Sequence, residues 1–483
     1  MVILLILITI ITAAFIHQKI RQRKLPKGPS PLPIIGNIHQ LVYYSIKNGG
    51  VVEAFREFEK QYGKVFTTWI GPLPTVNIAD FALAQETHVK NGNAYADRFS
   101  QGITAYLREG RGIIGSSGVF WQEHRRFALH TLRNFGLGRN IMEERILEEL
   151  DTDASIFFDL VVGSIINKIL VSQRFEKDDQ NFAKLKRNLE ISLETATPFE
   201  MFAPTWLLKT WMFKWRHAKT FKPIDDIHDF VKDCIGKRLK EIENGTYEVT
   251  EEANDFLGAF LYKIECDKNN NVEKSNFTLE TLAIDMLDLW LAGQETTSTT
   301  LTWGFLCLLK NPEVVEKIRA ELNKTTSNGS RNLSLSDKPN TPYLVATINE
   351  IQRITSILNI NLLRVVNEDT FIEDQPIAAG TAVSVQLSLL HTDERLFKNH
   401  KEFNPDRFIE NEGLEKKLIP FGIGKRVCLG EALARAELYL IIGNLILRYN
   451  LEKIGQPPPL VTINPVGILK RPPSYRMRLI PIR

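Results

Sequence analysis

Cys428 stands in the segment Phe421-Gly422-Ile423-Gly424-Lys425-Arg426-Val427-Cys428-Leu429-Gly430, two residues after an arginine and directly before an amphipathic run. Leu433, Ala436, Leu440, Gly443 and Leu447 recur at alternating spacings of three and four, so the cysteine immediately precedes a helix N-terminus. Amide N–H groups at a helix start and the guanidinium of Arg426 both favour a thiolate over a thiol. A thiolate so placed needs an acceptor. Gly424 and Gly430 leave room for a flat, bulky group against the backbone, with Phe421 packed beside it. Haem iron held by a cysteine thiolate meets these conditions. Taken alone, a single cysteine reads more readily as a small buried hydrophobe.

A second candidate centre is Ala292-Gly293-Gln294-Glu295-Thr296-Thr297. It lies within a pattern of Leu282, Met286, Leu289, Gly293, Thr296, Thr300 and Trp303 that predicts one helix from Thr278 to Lys310, about 48 Å long and stopped by Pro312. Glycine is costly mid-helix and Thr296 can bond the Ala292 carbonyl, so a bend is expected there. Trp121 and Arg125 share a helical face four residues apart, and Glu350 and Arg353 are three apart. On a surface helix each of these would be an ordinary pair.

The pattern Phe-x-x-Gly-x-Arg-x-Cys-x-Gly resembles the haem-binding signature of the cytochrome P450 family, and its microsomal, animal family-2-like members in particular. The resemblance runs through the W-x-x-x-R, A-G-x-E-T and E-x-x-R motifs and Phe403-Asn404-Pro405-Asp406-Arg407-Phe408, and covers nearly the whole chain. It implies a mainly α fold with minor β, one large catalytic domain of residues 38–483 binding haem b. Cys428 would be the axial iron ligand, within a loop whose Phe421, Gly424, Arg426 and Gly430 embrace the haem. Trp121 and Arg125, assisted by Arg98, would take one propionate, and Arg364 falls where relatives place another donor. Leu363 stands where many relatives have proline, which leaves the local backbone open. Glu295 and Thr296 would form the acid and alcohol pair that delivers protons to bound dioxygen, and Glu350, Arg353 and Arg407 a structural lock.

The same resemblance implies a monooxygenase fed by an NADPH-cytochrome reductase, with cytochrome b5 a candidate second donor. Lys425, Arg126, Arg133, Lys416 and Lys417 are a candidate docking face. Residues 99–120, the aromatic stretch after Pro198, Leu287 to Ala292, Leu358 to Leu363 and Val466-Gly467-Ile468 would line an apolar pocket, leaving xenobiotic, fatty acid and steroid substrates open. An oxygen-independent family member and a non-enzymatic haem sensor are the alternatives, and retention of Glu295 and Thr296 argues against the first.

The elements that must position these residues are mostly helical. Length alone would allow about three domains for 483 residues. The net charge of +3 is too small to imply a nucleic-acid partner. Cys234, Cys266, Cys307 and Cys428 form no C-x-x-C pair, which excludes a disulfide framework, a zinc site of that type and covalent haem attachment. Residues 1–16 are almost uniformly apolar, and the stretch to Ile20 is long enough, at about 30 Å, to cross a bilayer. The cluster Lys19, Arg21, Arg23, Lys24 and Lys27 follows rather than precedes that stretch, which favours a signal anchor over a cleaved peptide. Residues 21–37 read as a basic, Pro-rich hinge. The expectation is a domain on the cytosolic side of the endoplasmic reticulum membrane.

Val65 to Ile70 and Thr75 to Ile78 read as a hairpin around Gly71-Pro72. Gly110-Arg111-Gly112-Ile113-Ile114-Gly115 matches a dinucleotide fingerprint, but no strand leads into it and residues 130–135 offer no acid for a ribose, so a loop is expected. Phe199, Phe202, Trp206, Trp211, Phe213 and Trp215, interleaved with Lys209, Lys214 and Arg216, read either as a membrane-surface stretch or as a buried aromatic helix.

Overall fold

The computed structural model describes residues 2–134, 150–176, 178–195, 197–359, 361–463, 465 and 467–482. Its axis is a 32-residue helix, Leu279–Lys310, here α6. Thr278 starts it with a reciprocal cap, its hydroxyl accepting from Thr281 N–H at 3.2 Å while its own N–H reaches Thr281 Oγ1 at 2.9 Å. The helix is unbroken through Gly293. A side chain at Gly293 would stand 2.8 Å from Ile166 Cδ1, so the glycine serves close packing against a neighbouring helix.

The chain begins with α1 (Val2–Arg23), and around α6 lie the helices that position the site: α2 (Gly118–Asn134), α3 (Ala154–Val171), α4 (Gln180–Thr195), α5 (Lys222–Glu243), α7 (Pro342–Thr355) and α8 (Glu431–Arg448). α3 is apolar and long enough to cross a membrane, yet 61% of that stretch is buried, and it works as a core helix. Its Phe158, Val162 and Ile165 join Leu301 and Phe305 of α6, Leu344 and Ile351 of α7, and Ile441 and Leu445 of α8 in one cluster. Helices apolar on all sides belong in such a centre. The C-terminal end of α1 docks onto the body, with the Arg21 guanidinium 5.3 Å from the Trp69 ring centre.

A five-stranded sheet stands to one side, built from β1 (Val65–Ile70), β2 (Leu73–Ile78), β3 (Asp97–Arg98), β4 (Arg364–Val365) and β5 (Ala382–Val385), in spatial order β1-β2-β5-β4-β3. The hairpin is as expected, with Ile70 opposite Leu73 across the Gly71-Pro72 turn. The other end of the sheet matters more for function. There β3 and β4 pair antiparallel with Arg98 directly opposite Arg364.

The Glu350–Arg353 pair is fully buried, with Arg353 Nε 2.7 Å and Nη2 2.8 Å from the carboxylate. Arg407 Nε joins at 3.1 Å, and Arg353 Nη1 reaches the His391 carbonyl at 3.1 Å. This ties α7 to the segment leading toward Cys428. The glycine-rich 110–115 stretch is a loop of turns and bends, as the missing strand required.

Candidate haem-thiolate site

Four guanidiniums converge on one buried region. Arg98 donates from Nε to Ile114 O at 3.2 Å and from Nη1 to Leu362 O at 3.0 Å. Arg125 donates to Val427 O at 2.6 Å, which ties α2 to the residue before Cys428. Arg426 donates to Ala96 O and Ser116 O, both at 2.6 Å, and lies flat on the Trp121 ring at 3.6 Å. Arg364 is 3% exposed, and among the described residues its Nε and Nη1 have no partner; Arg426 Nη1 has none there either.

Burial, together with mutual repulsion, drives these bases down. Arg364 falls well below its ordinary value through burial and then Arg98, Arg426 and Arg125. Arg426 drops to about 8 by burial and Arg98, and Arg98 to about 10 by burial and Arg125. Like charges directly opposite in a sheet are destabilising, and buried donors without acceptors cost free energy. The arrangement fits a bound group that carries two negative charges on one edge.

Cys428 completes the site. Its N–H donates to Phe421 O at 2.9 Å, closing the loop on itself. Gly430 lies so close that a Cβ there would be 4.0 Å from Sγ. The residue is exposed, but into a space that protein surrounds. Burial pushes its thiol up; the Gly430 N–H pulls it down, Glu431 adds to the rise, and Arg125 opposes it. The expectation that Arg426 favours the thiolate is therefore corrected, because Arg426 is spent on Trp121 and two carbonyls and the cation acting on the sulfur is Arg125. A thiolate here depends on an electrophile that captures it, as a metal does.

Gly424 is corrected too. Its φ is 77° and a side chain there would run into the His88 carbonyl, so it makes room for protein backbone rather than for a flat group. Phe421 is half-buried under the Arg435 guanidinium, 4.8 Å from its ring centre. On α6, Ala292 is exposed between half-buried Leu291 and Gly293 in a helix that is otherwise mostly buried, so this stretch faces open space. Thr296, one turn on, bonds the Ala292 carbonyl at 2.7 Å.

Glu295 does not face that space. Its carboxylate is 3% exposed, held by Lys186 of α4 at 2.7 Å and by Arg471 at 2.6 Å, and those cations keep its pKa low against burial. Adjacent helical residues point about 100° apart, so Thr296 and Glu295 serve different neighbours. Their expected pairing as acid and alcohol in one relay is corrected on this geometry. Sequence reasoning missed Lys186 and Arg471, which sit far from any motif. It also missed His88, whose buried ring stacks on Tyr95 at 5.0 Å while its carbonyl seats Gly424.

Asn359 ties two expected pocket segments, its N–H to Ile468 O at 3.0 Å and its Nδ2 to Gly467 O at 2.8 Å. Phe135, Ile360, Val466 and the side chain of Phe199 lie outside the described residues. Trp206, Trp211 and Trp215 are 70%, 87% and 63% exposed, which decides against a buried aromatic helix.

A mostly helical body with an accessible cysteine largely surrounded by protein and a cationic rim that fits a dianion defines a haem-thiolate protein. The cytochrome P450 family model matches residues 26–479. The chain is 40% identical to the probable cytochrome P450 cyp-35D1 of Caenorhabditis elegans, over 98% of both chains. It is 32% identical to human cytochrome P450 2C8 over 96% of both, and 34% to rabbit cytochrome P450 2C5 over 95% of this chain and 94% of that one. The chain belongs to the cytochrome P450 family. It is accordingly a haem b-binding monooxygenase.

Replacing Arg364 by Leu should act in opposite directions on the two forms of the protein. Haem-free protein should melt at a higher temperature, since one buried like charge is gone. Haem transfer to an acceptor apoprotein should accelerate by a factor on the order of ten to a hundred, from the loss of one charge-assisted bond. A haem-free form that melts lower would contradict the reading of an uncompensated cationic cluster.

Proposed function

We propose that this protein inserts one atom of O₂ into apolar organic substrates, with Cys428 as the axial iron ligand and Arg98, Trp121, Arg125, Arg364 and Arg426 as the propionate clamp. The observation that carries this reading is the buried cluster of guanidiniums with unspent donors, set on the same loop and sheet edge as an accessible cysteine. When bound, the haem supplies oxygen activation that the thiolate's electron donation favours.

The chain's own residues do the rest. Arg125 and Arg426 bracket Trp121 and hold one edge of the cofactor, which fixes its orientation against α6. Thr296 holds a hydroxyl at the open face; its bond to the Ala292 carbonyl leaves the oxygen's lone pairs free to accept a further hydrogen bond there. Glu295 keeps its charge away from that face, bound to Lys186 and Arg471. The surrounding apolar core excludes water.

Electrons would come from an NADPH-dependent flavoprotein reductase, with cytochrome b5 as a second donor. Arg126, Arg133, Lys416 and Lys425 are exposed and suit an acidic partner, whereas Lys417 is half-buried over the Phe81 ring at 4.6 Å. Residues 1–20 would anchor the protein in the endoplasmic reticulum membrane behind the 21–37 hinge, with residues 38–483 cytosolic. Exposed Trp206, Trp211 and Trp215 beside Lys209 and Lys214 would rest in the lipid surface, where apolar substrates collect. Xenobiotics, fatty acids and steroids all suit such an entry.

Cys428→Ala should abolish the thiolate-type ferrous–CO absorbance; its persistence would refute the ligand assignment. Thr296→Ala should keep that spectrum while diverting NADPH electrons to peroxide, measured as peroxide formed per NADPH consumed, and unchanged coupling would remove Thr296 from proton handling. Charge reversal at Lys416 and Arg126 should slow reduction by the reductase more at low than at high ionic strength. A salt-independent effect would place the docking face elsewhere.

A further inference from the structure

The loop 99–117 leaves β3 at Arg98 and re-enters the body in α2 just before Trp121, so both of its ends rest on the guanidinium cluster. Its second half is fixed to α6. Arg108 pairs with Asp288 at 2.6 Å, Ile114 N–H bonds the same carboxylate at 2.9 Å, and Gly112 packs so closely that a side chain there would meet Asp288 and Ile284.

Its first half is held differently, by the roof of short helical turns from Pro198 to Phe221 and the start of α5. Most of that seam is apolar or simple backbone contact. Phe99 meets Phe202 with ring centres 6.0 Å apart, Gly102 abuts the backbone of Glu200 and Met201, and Tyr106, Ala203, Leu208 and Phe221 form a small cluster separate from the main core. Such contacts tolerate sliding, because dispersion and burial are not directional.

Tyr106 adds directional contacts. Its ring lies 4.5 Å from that of Phe221, and the residue is 6% exposed. Its hydroxyl donates to Asp225 Oδ2 at 3.1 Å, and with that proton committed it accepts from His217 Nε2 at 2.7 Å. His217 belongs to the roof and Asp225 to α5, so one phenol joins the loop to two successive elements above it. Separating loop from roof breaks both bonds together and strands a buried hydroxyl beside a carboxylate.

We propose that Tyr106 is a latch that sets how fast apolar ligands enter and leave the haem pocket, through its paired hydrogen bonds to His217 and Asp225. This rests on the reading above that the space under the loop and roof is the haem cavity. The three groups bond one another rather than a ligand, so the latch governs rates and not affinity. Tyr106→Phe removes both bonds while keeping the ring stacked in its cluster.

The test is stopped-flow binding of 4-phenylimidazole to the ferric holoenzyme, followed at the Soret band. Wild-type protein showing no Soret shift would refute the haem-site reading itself. Given a shift, Tyr106→Phe should raise association and dissociation rates together, roughly tenfold each for the loss of two ordinary hydrogen bonds, with Kd changed less than about twofold. Asp225→Leu should accelerate both rates, whereas Asp225→Asn, which keeps an acceptor for the phenol, should stay near wild type. Should Tyr106→Phe fail to fold, the two Asp225 variants decide the matter. Rates unchanged in Tyr106→Phe or Asp225→Leu, or a shift in Kd without a change in association rate, would overturn the latch.

Discussion

Arg98 and Arg364 sit opposite one another in a short antiparallel pairing, and Arg125 and Arg426 close around them. A protein interior tolerates such crowding of positive charge only if an anion is meant to lie among them. The Ala96, Ile114, Ser116, Leu362 and Val427 carbonyls are turned inward to hold the guanidiniums, and Trp121 offers Arg426 a ring face. These acceptors fix direction but carry no full charge, so the electrostatic demand passes to the cofactor. Sheet edge, loop and α2 are thereby organised around a group that the chain does not itself supply.

The long helix α6 separates two functions by rotation. One face presents Ala292 and Thr296 to the open space; another delivers Glu295 into an ionic network with Lys186 and Arg471; a third packs Gly293 against Ile166 of α3. A residue step of about 100° does this without any break in the helix. Glu190 and Glu194 of α4 lie on the outer side of Arg471, so the network runs from the exposed surface of α4 inward to α6. The hydroxyl at that space thus stands in a neutral setting, while the charge nearest it in sequence is held elsewhere.

The upper part of the molecule is built from weaker material. Below it, one apolar cluster joins α3, α6, α7 and α8, and the buried Glu350–Arg353–Arg407 lock holds the proximal segments. Above it, the roof consists of short turns with exposed tryptophans and is joined to the 99–117 loop by a small separate cluster and the Tyr106 bonds. Regions with few buried contacts open first. Rigid support under the cofactor and a light cover over it are the division that a buried apolar site needs if ligands are to reach it.

Much of this was legible without coordinates. The cysteine loop, the W-x-x-x-R pair, the long helix with its limits and the hairpin follow from local spacing and from motifs whose residues lie within a few positions of one another. The family follows from their order along the chain. Where the reading failed, the cause was long-range. Gly424 seats a carbonyl more than three hundred residues earlier, Arg426 stacks on Trp121, and Glu295 is claimed by Lys186 and Arg471. The sequence by itself determined which chemical groups are present and which helices and turns carry them, because propensity and periodicity are local. Only the tertiary structure decided which partner each group meets, since that depends on which distant surfaces pack together, and packing is settled by the whole chain at once.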